Sequence, residues 1–457
     1  MVGGAPESTG NKMNKKLVEK AGWGCFSEER FYEYSPVKVD ELIGLMDSGI
    51  VPRGAGRSYN LSSVSVLGPS LSSSYFKGIE AFSAEDKLLV VGGGTTIEEL
   101  LNFLRPLNLF LSVLPGSKYV SLGGCIANNV HGKNSHHVAC FEEVVEWIDL
   151  IIPSGKMKRC SRIENSDLFK WTLGGLGLTG FIVRVCLRLN DCFIHRVTQQ
   201  TSCFDNLSQT CSAIEFLFEK SFGVAWVDLL PNNEGYGRSV FKMSDPIVEG
   251  GLVDSRKAKS HNNYKLPRIA TWLGCHLLNE RMLTSFNTRT FSQGHRSVGE
   301  KQIMLADNHF FPLDRFTNWD RLFGSNGIEQ IQLAIPRAHC SDGLYEVFQF
   351  VRNLRIRPYL SVVKPLGTSR SHFGFPIDGV TLAMDFKGNC LTDEDRESLQ
   401  RIVIDLGGRY YLAKNRCLSA EHLDQTDRRV TGFRNFLKSN QMDVIQSQFT
   451  RQIGLCD

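Results

Sequence analysis

Nowhere in this 457-residue chain do about 18 apolar residues run without interruption, so no membrane-spanning helix is expected. The nearest candidate, Trp171 to Val183, is short, rich in glycine and stops at Arg184. The opening segment MVGGAPESTGNKMNKKLVEKAG lacks the apolar centre of a secretory signal. Thirteen cysteines, an odd number scattered from Cys25 to Cys456, form no CxxC pair and no zinc-like spacing. These absences imply reduced thiols in a cytoplasmic protein, without a disulfide framework. Strong charge is missing too. A formal net charge of +4, evenly spread, excludes an electrostatic grip on nucleic acid, and no basic run with interleaved aromatics marks a single-strand groove. Such a surface is still compatible with mild attraction to an anionic substrate or a peripheral membrane contact. His131, His136 and His137 have no carboxylate or cysteine at a partner spacing, so no metal is expected. No serine sits in a nucleophile-elbow context, which argues against a hydrolase.

The most informative stretch that is present runs from Val113 to Asn134, VLPGSKYVSLGGCIANNVHGKN. Gly116, Gly123 and Gly124 let main-chain amides approach a ligand with no side chain between, as an anion cradle requires. A short helix is expected over Cys125 to Val130, its free amino-terminal N–H groups facing the same anion. Each charge-assisted hydrogen bond there would contribute roughly 1.5 to 3 kcal/mol. His131, Lys133 and Asn134 follow at once, adding groups that donate, accept and carry charge. A plain glycine-rich loop with a surface histidine is the competing reading. A second bend, VPRGAGRSYN from Val51 to Asn60, sets Gly54 and Gly56 beside Arg53, Arg57, Ser58 and Tyr59. Two such bends make a two-sided grip on a dinucleotide.

Glycines elsewhere mislead. Gly175, Gly177 and Gly180 satisfy GxGxxG, yet a Rossmann site demands a strand before and a helix after, and here the strand-like FIVRV follows. Gly92 to Gly94 read as a tight structural turn.

The chain divides into a polar tail (1–20), an α+β cofactor domain (21–190), a middle domain built on a large antiparallel sheet (191–406), and a tail (407–457) returning to the first domain. Lys87 to Val91 reads as a strand, followed by a helix to Phe103 opened by a capping box of Thr95 or Thr96 with Glu98 or Glu99. Phe181 to Leu189 is another strand. Ser244 to Asn263 reads as a mobile loop. In EQIQLAIP, Gln330 and Gln332 share one face and Ile331, Leu333 and Ile335 the other; in VTLAMDF, Thr381, Ala383 and Asp385 oppose the apolar face. A polar face of this kind suits solvent or a binding cavity. Lys364 and Lys414 each stand inside an apolar run, either as snorkelling side chains or as cations facing a closed site.

RGAGRSY, PGSKYVSLGGCIANNVHGKN, GGLGLTGFI, AWVD, FFPLDRF, QIQLAIP, SVVKPLG and GGRYYLAKN occur in an order that resembles the vanillyl-alcohol-oxidase family, also called the p-cresol-methylhydroxylase (PCMH) type. The fuller set is similar to its sugar-oxidising branch and covers nearly the whole chain. The resemblance implies an FAD domain made from both chain ends, roofed by the middle-domain sheet. Arg53, Gly54, Ala55, Gly56, Arg57 and Ser58 would hold the pyrophosphate and adenosine half, with Gly116, Ser117, Gly123, Gly124, Cys125 and Asn128. Gly180, Ile182 and Tyr411 complete the cofactor set. Tyr59 and His131 would lie near the flavin ring, and Lys133, Gln330, Gln332, Lys364 and Lys414 would bind substrate. Lys414 is the first choice for the catalytic cation, with Tyr59, His131 and Lys364 supporting it.

Relatives with covalent flavin carry a histidine near position 57. Arg57, Ser58 and Tyr59 offer no such nucleophile, so non-covalent FAD is expected. Ala383, Thr381 and Phe310 stand where the sugar-oxidising branch has cysteine, asparagine and tyrosine. The expected activity is oxidation of a secondary sugar hydroxyl, including a pentose carried on polyprenyl phosphate. A short-chain reductase partner would complete a 2′-epimerase. An aldonolactone or alditol oxidase using oxygen, and a non-catalytic flavin-binding scaffold, are the alternatives.

Overall fold

The computed structural model describes residues 15–18, 21–24, 30–46, 48–230, 235–247, 264–265, 280–317, 323 and 327–456. Most of the amino-terminal tail and residues 248–263 of the expected loop lie outside them. Ser244 belongs instead to a strand, Ser239–Ile247.

Two sheets make the amino-terminal half. Five antiparallel strands run in the order Ile79–Ser83, Leu88–Gly92, Phe181–Arg188, Val145–Ile151, Met157–Ser161. A four-stranded sheet beside them ends in Ser70–Ser72 and Pro52–Arg53, a parallel pair. The helix after Leu88–Gly92 spans Ile97–Leu104, and its capping box is Thr96 with Glu99. This box satisfies amides at the helix start that would otherwise lack partners. The GxGxxG stretch runs straight into Phe181–Arg188, so no helix follows it.

The second half is one eight-stranded sheet, ordered Gln302–Leu305, Arg196–Phe204, Ser239–Ile247, Phe222–Val227, Leu360–Leu366, Gly379–Lys387, Ile328–Pro336, Arg409–Tyr410. Its pairs are antiparallel. The Cys340–Asn353 helix covers one face, where Gly343 lets it approach Ile335 and Leu406. The other face turns toward the first half.

Residues directly opposite on neighbouring strands project to the same side, so register converts sequence into rows. One row holds Val240, Trp226, Val362, Ala383 and Gln332. The next holds Leu360, Asp385 and Gln330. The polar alternation in both strands is therefore the inner wall of a cavity and not a solvated surface.

After Arg409–Tyr410 joins the sheet, the chain returns to the first half. Gln448 N–H donates to Val64 O at 2.9 Å, and Trp171 stacks on Phe433 with centroids 5.2 Å apart. One continuous hydrophobic core serves both halves. No helix among the described residues is long and apolar enough to cross a membrane.

Candidate active site

Between the two halves lies a cavity of about 620 Å³, and every candidate residue except Cys125 lines it. Cys125 is fully buried on the far side of its helix, where burial pushes the thiol up. That helix differs from expectation. It spans Leu122–Ala127 and is capped by Ser121. Its first amides are already bonded: Leu122 to Thr95 O (2.8 Å), Gly123 to Gly93 O (2.7 Å), Gly124 to Ser121 Oγ (3.4 Å). The carbonyls of Gly93 and Thr95 and the Ser121 cap take these donors, so they are not free to hold an anion.

The donors left over lie on the loops. The N–H groups of Gly54, Gly56, Ser58, Gly116 and Ser117 have no protein acceptor among the described residues, and all five residues line the cavity. Ala55 N–H ties the first loop to the helix cap through Ser121 Oγ at 3.3 Å. A Cβ added to Gly116 would meet nothing within 4 Å, so its open side is cavity space. Asn128 Oδ1 is buried without a partner at the same wall. Unsatisfied polar groups around a deep cavity fit the pyrophosphate and polar half of a dinucleotide.

Arg53 and Arg57 have separate tasks. Arg53 is buried, ion-paired with Glu33 at 3.0 Å, and donates to Ala21 O at 2.7 Å. Burial lowers its pKa and Glu33 partly restores it. Its cation holds the amino-terminal segment against the loop. Arg57 lies over the rings of Trp23 (4.4 Å) and Tyr119 (5.3 Å), leaving it as the loop's guanidinium beside the cradle.

Deeper in, Thr381 Oγ1 donates its single proton to Leu333 O at 2.9 Å, so it can only accept the 3.0 Å bond from Gln332 Nε2. The same amide nitrogen is 3.1 Å from His131 Nε2, which must then be an acceptor. His131 is therefore neutral with its proton on Nδ1, and Nδ1 has no protein partner among the described residues. Burial, with Lys364 and Lys414 nearby, holds its pKa well below the usual range.

Lys414 Nζ sits 3.6 Å from the Tyr59 ring centroid. Burial lowers its pKa, Asp385 raises it and Lys364 lowers it further. Asp385 moves the other way: burial raises its pKa, against a hydrogen bond from Gln330 Nε2 and the charge of Lys414. Burial also takes Lys364 down to about 8 and Lys133 down to about 7. Both lysines face the cavity, which decides between the two readings left open for Lys364 and Lys414. Tyr411, whose hydroxyl donates to Asn128 O at 3.2 Å, packs its ring edge-on to His131. Phe310 and Ala383 also meet this wall, with Gly180 and Ile182 on the cofactor side.

Sequence reasoning missed Asp385 as a site group, along with Trp226, Lys242, His309 and Gly93, all of which line the cavity. Asp385 was visible as a charge on the face of VTLAMDF that opposes the apolar one. The others gave no local signal.

An α+β fold that closes an amide-lined cradle under a large antiparallel sheet is an arrangement that suits a flavin dinucleotide. The comparisons agree: a family model described as "FAD binding domain" matches residues 46–161. Residues 46–161 are an FAD-binding domain, and the chain is an FAD-dependent oxidoreductase. It is similar to decaprenylphosphoryl-β-D-ribose oxidase of Mycolicibacterium smegmatis, 24% identical over 415 residues that cover 89% of each chain. D-arabinono-1,4-lactone oxidase of Debaryomyces hansenii is 26% identical over 290 residues, 59% of this chain and 48% of the relative. Cytokinin dehydrogenase 5 of Oryza sativa subsp. japonica is 32% identical over 106 residues, 23% of this chain and 20% of the relative.

Proposed function

We propose that the chain oxidises a secondary hydroxyl of a sugar, with the pentose of a polyprenyl-phosphate-linked substrate as the preferred form. The observation that carries this reading is that Asp385, held by Gln330, and Lys414, held over the Tyr59 ring, line the same cavity as the amide cradle. The amides of Gly54, Gly56, Ser58, Gly116 and Ser117 would hold FAD without a covalent bond. Bound there, FAD supplies a two-electron acceptor for the carbinol hydride.

The chain's own residues do the rest. Lys414, fixed over Tyr59, stabilises alkoxide character on the substrate oxygen. The hydroxyl proton passes to the Asp385 and Lys414 couple, whose shifted pKa values bring both groups toward neutrality. Neutral His131, oriented by Gln332, offers an Nδ1 proton to a bound acceptor. Gln330 keeps the Asp385 carboxyl in place, and the sheet excludes water.

The full-length likeness to a ribose oxidase supports the pentose, and that relative's name supports the lipid phosphate. A ketone product would require a reductase to consume it, so the pair would invert the carbon. A lipid-linked substrate would fit a cytoplasmic enzyme that makes peripheral contact with a membrane. The lactone oxidase relative favours a second reading, an aldonolactone oxidase that hands electrons to oxygen.

Anaerobic mixing with pentose and aldonolactone substrates tests both. Bleaching of the flavin by the pentose, followed by slow reoxidation in air, supports the first reading. Absence of bleaching by any sugar alcohol rejects catalysis and leaves a flavin-binding scaffold.

A further inference from the structure

The cavity holds more cations than its acids answer. Among the described residues its walls carry two carboxylates, Asp314 and Asp385. Asp314 accepts from Lys118 N–H at 2.7 Å near Arg57, and Asp385 serves Lys414. Lys133, Lys242 and Lys364 remain without one. Lys242 and Lys364 have no hydrogen-bond acceptor among the described residues either. Lys133 and Lys364 are partly buried and Lys242 is exposed to solvent; like charges gathered along one wall with no counter-charge repel one another, and a ligand of opposite charge relieves that cost.

Strand register brings these three together. Lys242 pairs with Val224. Extending the pairing of Ala225 with Val363 by one residue puts Val224 opposite Lys364. The two lysines thus flank one valine in a single row, about 10 Å apart at two strand spacings. Lys133 reaches this row from the cofactor half, because its carbonyl accepts the Gly223 N–H at 3.1 Å. Its Nζ donates to His309 O, and His309 Nε2 is buried without a partner. Lys242 and Lys364 both depress the Lys133 pKa, as close like charges do.

We propose that Lys133, Lys242 and Lys364, with His309 behind them, form a subsite for the phosphate ester of the substrate. It lies at the opposite end of the sheet wall from Asp385. Lys364 is four residues along its strand from Leu360, the partner of Asp385, or about 13 Å. That span is between backbone positions; the long lysine side chains and the Asp385 carboxyl both project into the cavity, which shortens the gap between their head groups toward the few ångströms between an anomeric phosphate and a ring hydroxyl. The subsite rests on the sugar-oxidase reading for its meaning, but its binding is measured without turnover.

The test uses the FAD-loaded enzyme and the fluorescence of Trp226, which lies in the neighbouring row. D-ribose 1-phosphate is expected to bind at least tenfold more tightly than D-ribose. Lys242→Gln should abolish that preference while D-ribose binding and FAD content stay unchanged, and Lys242→Arg should keep most of it. Geranyl phosphate binding more tightly than inorganic phosphate would support the subsite with a lipid-linked source; equal binding of the two would support it with a soluble sugar phosphate. Equal binding of D-ribose and its phosphate by the unmodified enzyme overturns the proposal. So does a Lys242→Gln variant with its preference intact, or one that loses FAD, which would give the lysines to the cofactor. Phosphate binding without any flavin bleaching would reject the oxidase reading and leave the subsite standing.

Discussion

The Lys414 ammonium rests 3.6 Å from the centre of the Tyr59 ring, and the Tyr59 amide donates to Ala413 O at 2.9 Å. Two segments more than three hundred residues apart are thereby locked by backbone and side chain together. Asn60 strengthens the lock through Nδ2 bonds to Leu412 O (2.5 Å) and Asn415 O (3.1 Å). The lysine is held where its charge has a ring face and, within reach, one carboxylate.

Lys414→Met should slow anaerobic flavin reduction by about 10²-fold or more, because it removes both the cation and one half of the proton couple. FAD content should be unchanged. Tyr59→Leu, which removes only the ring face, should cost about tenfold. Stopped-flow absorbance separates the two, and a Lys414→Met enzyme with normal reduction would remove Lys414 from the chemistry.

His131 should not become an imidazolium between pH 5 and 8, a range in which an ordinary histidine titrates. Burial sets this first and the cations of Lys364 and Lys414 second. Nitrogen-15 NMR of labelled histidine should show a protonated Nδ1 and an accepting Nε2. Lys364→Met should move the titration upward, since one opposing charge is gone. A normal titration in the unmodified protein would contradict the Gln332 assignment.

Gly116 and Gly93 should fail differently. Gly116→Leu projects into open cavity space, so the fold should survive while FAD affinity falls by tenfold or more. A Cβ on Gly93 would stand 2.3 Å from Ile182 O, so Gly93→Ala should destabilise the protein by about 1 to 3 kcal/mol through forced backbone shifts. FAD titration and urea unfolding on both variants distinguish cradle from scaffold.

Lys364→Met should stabilise the substrate-free protein at pH 7. Burial carries the Lys364 pKa from 10.5 down to about 8. Between those values the unfolded chain binds more protons than the folded one, so this residue's contribution to stability improves as pH rises through that window. Below about pH 8 its full penalty persists. The variant's advantage, about 1 to 3 kcal/mol after allowance for solvent in the cavity, should be present at pH 7 and shrink toward pH 10. Urea unfolding at both pH values reads it directly.

Much of the site was legible because it is written in local chemistry. Glycine clusters beside polar residues mark backbone that approaches a ligand, Gln330 and Gln332 made the polar face of an alternating strand, and Lys364 and Lys414 stood out as charges inside apolar runs. The failures came from competition between partners. Arg53 lines the cavity, and Glu33 and Ala21 O, which no local pattern announced, also hold its guanidinium. The helix amides near Gly123 and Gly124 were assigned to an anion, but Gly93 O and Thr95 O take the Gly123 and Leu122 amides and the Ser121 hydroxyl takes that of Gly124.

By itself the chain's residue order determined the α+β class, the two glycine bends and the period-two strands whose polar faces needed an enclosed partner, since these depend on neighbours within a few positions. Only the tertiary structure decided which donors stayed unspent, and that Lys133 and Lys242 would meet Lys364 across one row. Strand register and packing between distant segments set those relations, and a hydrogen bond or an unpaired charge has no meaning until its competitors are in place.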